Sequence, residues 1–149
     1  MRGRFEGVTA QLVVGNDLAS SSVSADIEMG TVKTGNADRD AHLASSDFFN
    51  ADTNPTMSFR STAVAGEGEE FTMLGDLTIN GVTKQVELDV EFFGTSVFPM
   101  DQSTRAGFSA TGTISRKDFG INFNAPVGVD KVMISDKVAL ELDVQLVAP

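Results

Sequence analysis

The sequence predicts an all-β protein, one antiparallel sheet of long strands with a single short helix. Three observations carry this. Apolar residues alternate with polar ones at period two through most of the chain. Asn80-Gly81 marks a tight hairpin between two such runs. Asn36, followed by Asp38 and Asp40, opens the one stretch with helical character.

In chain order, Val23, Ala25, Ile27 and Met29 alternate with Ser22, Ser24, Asp26 and Glu28. Such a run is a strand with one dry and one wet face. The helix is expected from Ala37 to Ser45, N-capped by Asn36, with Asp38–His42 and Arg39–Leu43 at i,i+4. Asp47-Phe48-Phe49 returns to the core, and Asn54-Pro55 starts a strand from Thr56 to Val64. Phe71, Met73, Leu77 and Ile79 share one face of the next strand; Val82, Val86, Leu88, Val90 and Phe92 share one face of its partner.

Centring the turn on Asn80-Gly81 sets Ile79 opposite Val82, Gly75 opposite Val86, Met73 opposite Leu88 and Phe71 opposite Val90. Lys84 falls opposite Leu77, near the turn, where its long stem can snorkel. Phe108, Ala110 and Ile114 continue the pattern. The last strand is expected from Val132 to Val147, on the order of 50 Å long, with a bend or bulge at Asp136. Strands of that length with alternating faces suit an elongated barrel whose interior holds an apolar ligand.

The 149 residues fit a single domain, 1–149, that needs no staple to hold its core. The absence of cysteine excludes disulfides, thiolate metal sites and a cysteine nucleophile, and one histidine excludes a His-rich metal cluster. A formal net charge of −10 repels phosphate backbones and anionic lipid surfaces. Nucleic acid is therefore not an expected partner, and the expected ligand is neutral, cationic or apolar. No apolar run is long enough to span a bilayer. Met1 to Gly7 has no apolar stretch of the signal-peptide kind, so the chain as written is expected in the cytoplasm.

Two readings of the site differ in class. In the first, inward parity and aromatic content make Phe48, Phe49, Phe59, Phe71, Met73, Leu77, Leu88, Val90, Phe92, Phe108, Ile114, Phe119 and Leu140 the lining of an apolar pocket. Eleven phenylalanines with no tyrosine or tryptophan supply bulk without a polar handle. Gly75, Ala106, Ala110 and Gly112 share that parity and leave interior volume for an occupant. Arg39, Asp40 and His42 form a polar collar at the pocket mouth, or else merely tether the helix. In the second reading, a small hydrolase or isomerase uses His42 with a nearby Asp. No Gly-x-Ser-x-Gly elbow exists to support acyl transfer, and Gly66-Glu67-Gly68-Glu69-Glu70 lacks the third glycine and the lysine of a phosphate cradle.

Several segments occur in a characteristic order. They are Arg2-Gly3-Arg4-Phe5; Thr34-Gly35-Asn36 with Arg39-Asp40-Ala41-His42-Leu43; and Ser46-Asp47-Phe48-Phe49. Asn54-Pro55 before Ser58-Phe59, Gly75-Asp76-Leu77-Thr78-Ile79-Asn80-Gly81-Val82-Thr83-Lys84 and Ser115-Arg116-Lys117-Asp118-Phe119-Gly120-Ile121 complete the series. In these, from Arg2 to about Leu146, the chain resembles the YceI family of lipocalin-like, polyisoprenoid-binding bacterial proteins.

The resemblance implies an elongated, antiparallel, eight-stranded barrel with a helix beside it. It implies binding rather than catalysis, with neither metal nor cofactor. The ligand would be a polyisoprenoid, an isoprenoid quinone or a fatty amide or acid, held for transport, storage or isoprenoid metabolism. The family's first strand lies upstream of the Arg-Gly-x-Phe stretch in which this chain begins. An open seam with one edge starting at Arg2 is therefore expected, with a homodimer as one way to cover it. An export signal upstream would move the protein to the periplasm or beyond.

Overall fold

A computed structural model describes residues 2–124 and 134–148. Among the described residues, each period-two run contains a strand. Strand β1 is Arg4–Phe5, β2 is Val8–Val13, β3 is Ser22–Glu28 and β4 is Val32–Lys33. Helix α1, Ala37–Ala44, follows, then β5, Thr56–Glu67, and β6, Glu70–Ile79. The longest strand is β7, Val82–Val97; β8 is Thr104–Ser115 and β9 is Lys137–Val147.

Strand β1 pairs with β4 alone, and the other seven form one antiparallel sheet in the order β2-β3-β5-β6-β7-β8-β9. The sheet curls into a half-barrel. Its outer strands, β2 and β9, each pair on one side only among the described residues. The seam is thus present, but its first edge begins at Val8 and not at Arg2. Glu28 donates its amide to the Gly7 carbonyl at 2.7 Å, and Thr31 Oγ1 accepts from the Gly7 amide at 2.9 Å. These bonds separate β1 from β2 and turn β1 onto β4. Arg2 reaches across to β9, where its guanidinium pairs with Glu141 at 2.7 Å.

The hairpin register matches the sequence expectation residue for residue, including Leu77 opposite Lys84. Asn80 and Gly81 carry the positive φ values, 54° and 74°, that a type I′ turn needs. Two bulges escaped the sequence pattern, one between Ser61 and Ala63 and one between Phe92 and Gly94. The second turns Phe93 outward, where it is 63% exposed.

The last strand is shorter than expected. It begins at Lys137, giving 11 residues and about 36 Å. Val132 lies outside the described residues. Asp136 sits just before the strand, where its carbonyl accepts the Arg116 amide and its carboxylate lies 3.3 Å from Lys117 Nζ.

The core fills one end of the half-barrel. Met29, Phe48, Ile79, Phe119 and Ile121 are buried there, each apolar side chain contributing about 1.5–3 kcal/mol. The turn at Asn80 belongs to the same end, its Nδ2 donating to the Phe119 carbonyl at 3.3 Å. The opposite end carries exposed apolar side chains, among them Val13, Val97 and Val147.

Candidate functional site

Ladder parity places Ala25, Phe59, Leu77, Met73, Phe71, Leu88, Val90, Phe92, Phe108, Ala110, Leu142 and Val144 on one concave face. Burial along that face grades from one end to the other. Ile79, Leu77 and Met73 are buried, and Phe71, further along the same strand, is half-buried. Leu88 and Val90 are buried, and Phe92 beyond them is half-buried. Phe108, Ile114 and Leu140 are half-buried as well. Phe92 and Phe108 stack across the β7–β8 ladder with ring centroids 4.9 Å apart.

The expected lining residues therefore divide. Phe48 and Phe119 belong to the packed end, and Phe49 lies beside Phe5 at 5.7 Å between centroids. Phe59, Met73, Leu77, Leu88 and Val90 floor the concave face from within the core. Phe71, Phe92, Phe108, Ile114 and Leu140 are only half-buried. Part of the volume expected to be vacant is filled by neighbours. A Cβ on Gly75 would meet the Phe59 ring, and one on Gly112 would meet Leu88 Cδ2 at 2.7 Å. Both glycines serve close packing, because the larger cross-strand side chain lies over them.

The polar trio, Arg39, Asp40 and His42, is carried by α1. Asn36 caps the helix by accepting from the Arg39 amide at 3.0 Å, as its sequence position requires. Arg39 and Asp40 both turn to Thr34. His42 turns to Asp47, with Nε2 to Oδ2 at 2.8 Å, instead of to Asp38. Its ring also stands edge-on to Phe48 and Phe123, at 5.0 and 4.9 Å between centroids. Asp47 makes the only side-chain hydrogen bond of the imidazole among the described residues. Asp40 is held below its ordinary value of 3.8, first by the Thr34 hydroxyl.

Sequence reasoning passed over Arg116 as a site residue. Its guanidinium is buried and donates to the carbonyls of Ile121, Phe123, Ser135 and Ile134 at 3.1, 2.6, 2.9 and 3.4 Å. A buried cation has to be satisfied by such partners. The result is a plug that ties two loop segments under the packed end of the half-barrel. The signal was its neighbour Phe119, read as pocket lining when both belong to one 3₁₀ turn, Arg116–Phe119. Val144 and Leu146 were also passed over, although their parity with Leu140 was visible.

No helix among the described residues is long and apolar enough to cross a membrane. Among them, no group of three or more histidine or acidic side chains is placed to hold a metal ion.

The YceI-like domain matches residues 1–146. A UPF0312 protein of Staphylococcus epidermidis is 40% identical over 142 residues, 95% of this chain and 81% of the relative. Another from Photorhabdus laumondii is 44% identical over 110 residues, 74% of this chain and 56% of the relative. Among solved structures, the Campylobacter jejuni YceI protein superposes with a TM-score of 0.84 at 29% identity, covering 99% of this chain and 85% of the other. A polyisoprenoid-binding domain from Saccharophagus degradans shares the fold at a TM-score of 0.61 and 15% identity, again over 99% and 85% of the two chains.

Proposed function

This chain belongs to the YceI-like domain family, and from that premise we propose that it binds one long, largely apolar ligand along its concave face. The observation that carries the reading is the graded burial there. A row of half-buried apolar groups, Phe71, Phe92, Phe108, Leu140 and Val144, runs along the sheet beside a core already closed at the other end. A chain-like ligand would cover that row, and each buried methylene would add about 0.8 kcal/mol.

The ligand class is a polyisoprenoid, an isoprenoid quinone or a fatty amide or acid, and the role is binding for transport or storage. The polyisoprenoid-binding domain that shares the fold supports this class. The His42–Asp47 pair gives the hydrolase reading one acid–base element and supplies no bonded nucleophile among the described residues. Binding is therefore the function the geometry supports best.

The test is organic-solvent extraction of the purified protein followed by mass spectrometry. A stoichiometric long-chain lipid is expected. Protein that carries no lipid and takes none up from a prenylated quinone suspension would contradict the reading.

A further inference from the structure

The antiparallel registers set the β5–β6 and β7–β8 turns at one end of the sheet, opposite Asn80-Gly81. The two turns differ in reach. Pairing of β6 with β7 ends at Glu70–Glu91, and β7 runs on to Val97, about 20 Å further. The β7–β8 hairpin is therefore a tip that projects past its neighbour.

The tip also differs in charge. The chain carries a net −10, and Glu67, Glu69 and Glu70 surround Gly68 at the β5–β6 turn. From Phe92 to Phe108 the only charged side chains are Asp101 and Arg105, which pair with each other at 3.1 Å. The Arg105 guanidinium also stands 3.8 Å from the Phe98 ring centroid. The Phe98 amide donates to the Ser103 carbonyl and the Gln102 amide to the Phe98 carbonyl, both at 2.8 Å, closing the turn. Met100 lies within it, 87% exposed, and Val97 on β7 and Val147 on β9 are exposed as well. Past the bulge at Phe93, Thr95 stands opposite Ala106 and Val97 opposite Thr104, which share the parity of Phe108. The concave row thus continues to the tip.

We propose that the β7–β8 tip docks on an electrically neutral bilayer surface, with Met100, Val97 and Val147 entering the lipid. An anionic surface repels the net charge of the chain. The glutamates of the β5–β6 turn are set back along the strand by more than the roughly 8 Å screening length of physiological salt. A stable protein partner would engage about 20–30 residues on each side, more than one hairpin turn presents. Exposed apolar groups on a neutral tip suit a lipid surface. The docking stands on the exposure and charge of the tip; its alignment with the ligand row rests on the concave face being the lipid site.

The test is flotation of the purified chain with phosphatidylcholine vesicles and with mixed phosphatidylcholine–phosphatidylglycerol vesicles. Binding to the first is expected, and weaker binding to the second at low salt. Met100→Glu is expected to cut the vesicle-bound fraction severalfold. Thr53→Glu adds the same charge at an exposed position near the opposite end and should leave the fraction unchanged. Val147→Glu replaces Met100→Glu if the latter fails to fold. No vesicle binding by the unsubstituted chain, equal binding by Met100→Glu, or tighter binding to the anionic vesicles overturns the proposal. So does a dimer that ignores vesicles and dissociates on Met100→Glu, since the tip then meets a second copy. Uptake of a prenylated quinone from a dispersion without vesicle binding overturns the docking alone and leaves the lipid-binding reading intact.

Discussion

Arg39 clasps Thr34. Its Nε donates to Thr34 Oγ1 at 2.8 Å and its Nη2 to the Thr34 carbonyl at 2.7 Å. Asp40 Oδ1 accepts from the amide and the hydroxyl of the same threonine at 2.8 and 2.6 Å. Two helical side chains thus close on the residue that follows β4, which fixes the start of α1 against the small β1–β4 sheet.

The first prediction follows from that clasp. Arg39→Ala and Asp40→Asn are expected to lower the melting temperature by a few degrees and to leave lipid affinity per folded molecule unchanged. Calorimetry beside a lipid titration decides the matter. If the two residues form a collar on the ligand instead, affinity falls first and stability holds.

The same bonds set an acid limit on stability. Hydrogen bonds from Thr34, Ser20 and Ser103 hold the carboxyls of Asp40, Asp17 and Asp101 below their ordinary 3.8. A carboxyl with a depressed folded value adds stability above its unfolded value, and that stability is lost as pH falls through the folded one. Urea midpoints are expected to drop below pH 3.8, and Asp40→Asn should shrink that drop. An unchanged drop in the variant would show that Asp40 takes no part.

Phenylalanines at the two ends should respond differently. Phe119 is 1% exposed, so Phe119→Ala is expected to cost about 3–5 kcal/mol of stability through the cavity it leaves. Phe108 is half-buried on the concave face and stacks on Phe92. Phe108→Ala should weaken lipid binding severalfold while costing less stability than Phe119→Ala. Equal loss of stability at both positions, with affinity intact, would argue that the concave row is ordinary core.

Much of this was legible in the residues. The Asn80-Gly81 hairpin could be registered because a type I′ turn admits one pairing and a slip would bury Asp76 and Glu87. Asn36 announced the helix by its capping oxygen. The bulges were invisible, since an inserted residue such as Phe93 reverses parity without changing composition. The clasp on Thr34 was also hidden. A side chain on α1 can turn to the pocket or to the preceding strand, and spacing alone does not choose between them. Gly75 misled in the same way, as parity shows where a small residue points and not that the Phe59 ring lies across it.

Strand β2 carries neither charge nor proline, the usual protections of a free sheet edge. Strand β9 carries Glu141 and Asp143, which self-pairing about Leu142 would set against each other. We therefore expect the chain to associate through β2, giving a dimer or larger species in light scattering. Gln11→Lys is expected to shift it toward monomer. A monodisperse monomer of the unsubstituted chain at every concentration would refute edge pairing.

The central claim is that burial on the concave face, and not ion pairing, holds a long uncharged lipid. It is tested most directly by titrating the protein with a prenylated quinone at low and at moderate ionic strength. The account predicts saturable binding to one site per chain, with affinity nearly unchanged by salt. Binding that fails to saturate, or that falls steeply as salt rises, would contradict it.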